Sequence, residues 1–282
     1  MRIANLSGRV VIVDGTTAVD VEQRSGGLFS ADPQAIFDRW SDFRIWASTA
    51  DLSSGFEFDE GDLWAPVPSP KQLFAIGLNY HDHASEVGLI ASEIPLVFTK
   101  YVSSIAGPFS DVPHPGGDVD WEVELVVVIG ASARNVDEAR AWDYVAGLTA
   151  GQDISERITQ HAGATPQFSL GKSFPCFTPM GPWLVTPEEF VDPGDLALET
   201  LVNGVARQSG RTSDMVASVP MLIAALSRIV TLLPGDAIFT GTPAGVGLGM
   251  TPPQFLSVGD ELVTRIEGIG ELRNRIIADA HV

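Results

Sequence analysis

Two acids stand two positions apart at the head of an apolar run, Trp121-Glu122-Val123-Glu124-Leu125-Val126-Val127-Val128-Ile129-Gly130. From Leu125 to Ile129 every residue is apolar and β-prone, so the segment reads as a buried or half-buried strand. Alternate residues of a strand project from one face, which sets the two carboxylates side by side. Like charges that close, against apolar walls, repel each other and resist leaving water. A hard divalent ion such as Mg2+ is the usual neutraliser. The other reading of the segment is an edge strand whose acids point into solvent.

A chain of 282 residues with 45% hydrophobic and 19% charged side chains can bury a large core, and disorder is not expected. The net charge of -19 argues against nucleic acid or an anionic membrane as partner, because both need Lys and Arg against phosphate. A single cysteine, Cys176, excludes an internal disulfide framework and fits a reducing compartment. The first fifteen residues hold only a short apolar stretch after Arg9, too short for a signal peptide or a membrane span. The expectation is a cytoplasmic protein.

The chain opens with strand-like runs near 2–6 and 9–13 and a helix-like stretch over 33–46. Pro66-Val67-Pro68-Ser69-Pro70 permits neither helix nor central strand and marks the expected boundary between a small N-terminal domain, 1–65, and a larger one, 71–282. Beyond it the pattern is short strands between turns. Asn203-Gly204 between two β-prone runs signals a hairpin, and an amphipathic helix is expected over 218–232. Strands and helices do not alternate regularly, which argues against a doubly wound sheet.

Phe74-Ala75-Ile76-Gly77-Leu78-Asn79-Tyr80 reads as a strand that gives way to the polar cluster His81-Asp82-His83-Ala84-Ser85-Glu86. On a helical turn His83 and Glu86 share a face, and a carboxylate beside imidazole is an arrangement that activates water. Capping of a surface helix, with Asp82 as the cap, is the competing reading. Small and polar residues from 81 to 92, with Gly88 as a hinge, suggest a lid. Asp153 offers a third carboxylate, although a lone Asp also serves as a cap or turn. Lys172 between apolar and small residues suits an acid partner or an anion. Thr240-Gly241-Thr242-Pro243-Ala244-Gly245-Val246-Gly247 presents backbone amides in a loop, with neither a P-loop lysine nor a dinucleotide fingerprint. There is no Gly-x-Ser-x-Gly elbow and no His-x-x-x-His pair.

Taken in order, these clusters resemble the fumarylacetoacetate hydrolase family. The matching marks are Gly77-Leu78-Asn79-Tyr80 with His83 and Glu86, Glu122-x-Glu124-Leu125 with Val128-Ile129-Gly130, and Asp153 with Arg157 and Gln160. Gly171-Lys172-Ser173-Phe174, Val202-Asn203-Gly204 and the 240–247 loop follow, so the marks span about 72–277. The resemblance implies an α+β, β-rich fold, a mixed β-sandwich roll with a small N-terminal β-containing appendage, working as a homodimer. It implies Mg2+ or Mn2+, with Ca2+ as a further candidate, on Glu122, Glu124 and Asp153. It also implies a His83–Glu86 dyad on a lid that orders over substrate. Lys172 would be catalytic, and Arg157, Gln160, Gly241 and Thr242 would bind substrate. Many relatives carry an acid directly after the arginine, where Ile158 follows Arg157 here. The implied activity is hydrolysis of a carbon–carbon bond in a 2,4-diketo acid, such as fumarylpyruvate, acetylpyruvate or a diketo-deoxy sugar acid, to pyruvate and a carboxylic acid. Oxaloacetate decarboxylation and 2-hydroxymuconate-type isomerisation or hydration use the same enolate chemistry. A non-catalytic β-sandwich holding structural Ca2+ is the rival of another class.

Overall fold

Val123–Ile129 has strand neighbours on both sides and a core on both faces, which rules out the edge-strand reading. It pairs antiparallel with Val145–Gln152 on one side and with Ala237–Phe239 on the other. Val123, Leu125, Val127 and Ile129 enter one core, while Val126 and Val128 enter a second beside Trp40, Phe43 and Phe239. By the period of two, Glu122 and Glu124 belong to the second face, at the end where the strand begins. The structure, a computed structural model, describes residues 1–86 and 96–280. The part of the expected lid from 87 to 92, with its Gly88 hinge, lies outside the described residues.

Among the described residues the large sheet runs, in spatial order, Phe56–Glu57, Thr17–Asp20, Arg9–Asp14, Arg2–Leu6, Thr178–Val185, Val145–Gln152, Val123–Ile129, Ala237–Phe239, Leu73–Gly77 and Leu96–Thr99. It is mixed, since Ala237–Phe239 and Leu73–Gly77 are parallel. A second sheet carries Val205–Arg211, Ala197–Val202, Glu261–Ile266, Gly270–Ala278 and Val112–His114. Leu198, Ile266 and Leu272 of this sheet share a core with Val123, Leu125 and Val127 of the first. The β-rich, mixed α+β roll is therefore the observed architecture.

The segment expected as a linker does not interrupt the large sheet. Arg2–Leu6 pairs antiparallel with Thr178–Val185, so the first 65 residues extend the sheet that carries the acids. Pro66, Val67 and Pro70 are buried. Proline cannot donate to a ladder, but its ring packs like any apolar group, so such a segment can be strandless and buried at once. The helix expected over 33–46 is two pieces, a 3-10 turn at Ala35–Arg39 and an α-helix at Trp40–Ala47. Stacking of Phe37 on Trp40 and of Trp40 on Phe43 runs across that junction. Asn203 and Gly204, both at positive φ, make the two-residue turn between Ala197–Val202 and Val205–Arg211. Val219–Ile229 is the amphipathic helix, with the Ser218 hydroxyl accepting from the Met221 amide.

Candidate active site

Four strand ends meet at one place. Antiparallel pairing sets the end of Val145–Gln152 beside the start of Val123–Ile129, and the Asp153 amide donates to the Glu122 carbonyl at 2.9 Å. Along Val123–Ile129, Ala237–Phe239 reaches only Val126–Val128, so on that side of Glu124 a loop takes the place of a strand. There the Thr240 amide and hydroxyl donate to the Leu125 carbonyl, and the Thr242 hydroxyl donates to that of Val123. Leu73–Gly77, parallel to Ala237–Phe239, ends at the same level and delivers the helix His81–Glu86. The cavity left between these ends measures about 310 Å3, and Glu122, Glu124, His83, Arg157, Gln160 and Lys172 all line it.

One oxygen from each of Glu122, Glu124 and Asp153 lies within 4.8 Å of the others, and all three residues are buried. Around them is an alternating chain of charge. Lys172 donates to Glu122 at 2.7 Å, Asp153 at 2.7 Å and Ser155 at 2.8 Å, which engages all three of its N–H groups. Arg157 reaches Glu122 at 2.8 Å and grips Asp120 through Nε at 2.9 Å and Nη2 at 2.7 Å. Asp120 also accepts from the Gly247 and Leu248 amides. Glu124 accepts from the Gly241 amide at 2.7 Å, so Gly241 supports an acid and is not part of the cavity wall.

The two glutamates titrate in opposite directions. Burial alone would raise the Glu122 carboxyl, but the charges of Lys172, Arg157 and His83 overcome it and hold the group at about 2. Burial, with Asp153 and Glu122 beside it, drives the Glu124 carboxyl well above the usual carboxylate range. A carboxyl that resists ionising beside two other acids belongs to a cluster that could hold a divalent ion.

His83 and Glu86 face each other, Nδ1 to Oε2 at 3.4 Å, on the helix anticipated for them. Asp82 lies inside that helix and accepts from the His83 amide. Glu86 is tied to the 240–247 loop by the Gly245 amide, at 3.0 and 3.2 Å to its two oxygens. Gln160 gives its Oε1 to Arg157 Nη1 at 2.9 Å, which leaves its NH2 for a bound group. Thr242 donates to the Val123 carbonyl and accepts from Gln208. Ile158 is exposed; the support of Arg157 comes from Asp120 instead.

Several residues of the site were not singled out by sequence. Lys100, wholly buried, donates to Asp153 and to the Lys172 carbonyl, and burial lowers its ammonium pKa. Gln208, from the second sheet, accepts from the Val123 amide and the Thr200 hydroxyl and donates to Thr242 and the Pro243 carbonyl. Asp120 had one available signal, its place two residues before Glu122. Lys100 and Gln208 had none, since their partners are distant in the chain.

Strand ends of a mixed β-roll bring a cluster of three buried carboxylates, a paired imidazole and two cations together around one cavity, an acid–base site whose carboxylates could hold a divalent ion. Residues 72–277 match the fumarylacetoacetate (FAA) hydrolase C-terminal family, and the chain belongs to that family. A structure from Mycobacterium smegmatis, provisionally named an HpcE protein, superposes with a TM-score of 0.96 at 51% identity over 99% of each chain. Human mitochondrial oxaloacetate tautomerase FAHD2A is 43% identical over 215 residues, 76% of this chain and 68% of that protein. Maleylpyruvate hydrolase from Sphingobium sp. SYK-6, in complex with manganese(II) and pyruvate, superposes with a TM-score of 0.77 at 28% identity over 99% of each chain.

Proposed function

We propose that this protein is a divalent-metal-dependent hydrolase that cleaves the carbon–carbon bond of acylpyruvate-type 2,4-diketo acids. The observation that carries this reading is the buried Glu122, Glu124 and Asp153 trio, whose two glutamates line a cavity shared with His83 of the His83–Glu86 pair. The residues fit a metal. The donors are all carboxylate oxygens, the choice of Mg2+ or Mn2+ with Ca2+ tolerated, and the Glu124 carboxyl resists ionising without a cation. Glu122, Glu124 and Asp153 would hold the ion. When bound, it would neutralise the trio and stabilise negative charge developing on a 2-oxo oxygen.

The protein's own groups supply the rest. Glu86, anchored by the Gly245 amide, orients His83, and His83 takes a proton from water. The hydroxide adds to the distal carbonyl, and the free NH2 of Gln160 is placed to donate to the resulting oxyanion. Lys172 keeps Glu122 and Asp153 in register and contributes charge, because its donors are already engaged. The carbon–carbon bond then breaks, its electron pair leaves with the pyruvate unit as enolate, and the proton held by His83 returns to that carbon. The products are pyruvate and a carboxylic acid.

A second reading is favoured by the 43% identity to an oxaloacetate tautomerase. His83 would then move a proton at the carbon next to the 2-oxo group, with no water consumed. One experiment separates the two: pyruvate release from acetylpyruvate and fumarylpyruvate, and keto–enol exchange of oxaloacetate, each with Mg2+. Substitution His83→Ala should lower pyruvate release by about 10²–10⁴-fold, the usual contribution of a general base. A parent protein that exchanges oxaloacetate rapidly and releases no pyruvate would move the assignment to tautomerase.

A further inference from the structure

Resting on the oxo-acid reading, we propose that His161 is a specificity-determining residue that binds a second carboxylate, at the far end of the substrate. It follows the short helix Arg157–Gln160 and lines the cavity. Its Nδ1 lies 2.9 Å from the Arg157 carbonyl oxygen. A carbonyl only accepts, so Nδ1 carries the proton and Nε2 is left for a ligand.

A series of side-chain contacts along the cavity wall links this imidazole to the acids. Lys172, bonded to Glu122 and Asp153, sits 5.3 Å from the centroid of the Phe98 ring. Phe98 meets Phe168 edge to face at 5.6 Å, and Phe168 meets His161 edge to face at 6.0 Å. Lysine, two phenyl rings and imidazole thus form an unbroken series of contacts that begins at the carboxylate trio. A 2-oxo acid with its reacting end at the trio lays its carbon chain along Phe98 and Phe168 and brings its far end toward His161.

The charge at that far end follows from what the other cations are doing. Arg157 is held by Asp120 and Glu122, Lys172 by Glu122 and Asp153, and His83 faces Glu86. Among the described residues lining the cavity, His161 is the remaining group able to carry positive charge, and it contacts the Arg157 carbonyl and the Phe168 ring. Doubly protonated, it donates from Nε2 to a carboxylate, a charge-assisted bond. A diacid is therefore preferred to a 2-oxo acid of equal length that ends in methyl.

The test is binding, so it does not depend on which reaction the protein catalyses. Titration calorimetry with Mg2+ present would compare 2-oxoglutarate, 2-oxoadipate and 2-oxopimelate with 2-oxopentanoate, 2-oxohexanoate and 2-oxoheptanoate. The parent should bind at least one diacid about tenfold or more tightly than its methyl-ended partner. His161→Ala and His161→Gln should erase that preference and leave the monoacids within about twofold of the parent. His161 is exposed, so both variants are expected to fold. Equal affinity for diacid and monoacid in the parent, or equal losses for both in the variants, overturns the His161 assignment alone. Binding of none of the acids overturns the oxo-acid reading and this proposal with it.

Discussion

Glu122 and Glu124 stand two residues apart and should respond to the same substitution in opposite ways. Glu122 satisfies Arg157 and Lys172, so Glu122→Gln leaves buried cations short of charge and should cost about 3–5 kcal/mol of stability in chelator. Glu124 is opposed by Asp153 and Glu122, so Glu124→Gln relieves repulsion. The sign with pH is fixed by its raised carboxyl. Its contribution is fully present below the unfolded carboxyl value and is lost as pH rises through the folded one. In chelator, parent and Glu124→Gln should melt together near about pH 4, with the variant more stable near about pH 8. Added Mg2+ should stabilise the parent and neither variant, because each lacks a ligand. Glu124→Gln melting below the parent at about pH 8 in chelator would refute the repulsion argument.

The trio itself was legible because a strand's period of two and the order of motifs are local signals. Lys100 and Gln208 were not, because their meaning arises only when distant strands close. Lys100 meets Asp153 at a separation of 53 residues, and Gln208 meets Val123 at 85.

Among the elements, the 240–249 loop does the most to shape the site. It replaces a ladder strand beside Glu124, caps Glu86 and holds Asp120. Gly245 has φ +104°, and a Cβ there would lie 2.1 Å from the Arg207 carbonyl oxygen. Gly245→Ala must displace the loop, taking the amide from Glu86 and with it the orientation of His83. Because the large cores lie elsewhere, the expected result is an activity loss of about tenfold or more with a melting temperature only a few degrees lower. Kinetics and melting on the same sample check it; unchanged activity would remove the loop from the positioning of Glu86. From sequence the loop was visible as an amide-rich turn and a family mark, but its grip on Glu86 and Asp120 was not, since its partners come from other segments. The Asn203-Gly204 hairpin, by contrast, was fully readable, because its backbone conformation is set by the two residues themselves. At 66–70 the proline content reports which ladders cannot form and says nothing of burial.

For the whole molecule, we propose that the expected homodimer would form through one margin of the large sheet. Leu96–Thr99 is its last strand among the described residues, paired with Leu73–Gly77 on one side. Leu96, Val97, Tyr101 and Val102 along it are exposed, and so is Leu170 on the helix Phe168–Gly171 packed against the strand. A strand margin with apolar side chains invites pairing or burial by another surface. A second copy is the partner always at hand, and the acidic charge of -19, which keeps separate molecules apart, does not fall on these residues. Sedimentation at micromolar concentration should therefore show a dimer. Val97→Lys combined with Leu170→Glu, both exposed at that margin, should shift it to monomer while leaving the melting of the isolated chain nearly unchanged. Because Ser169 and Thr99 join this margin to the wall that carries Phe168 and Phe98, the monomer should also bind 2-oxo acids more weakly. A parent that sediments as a monomer, or a double variant that remains dimeric, would place the subunit contact elsewhere or remove it altogether.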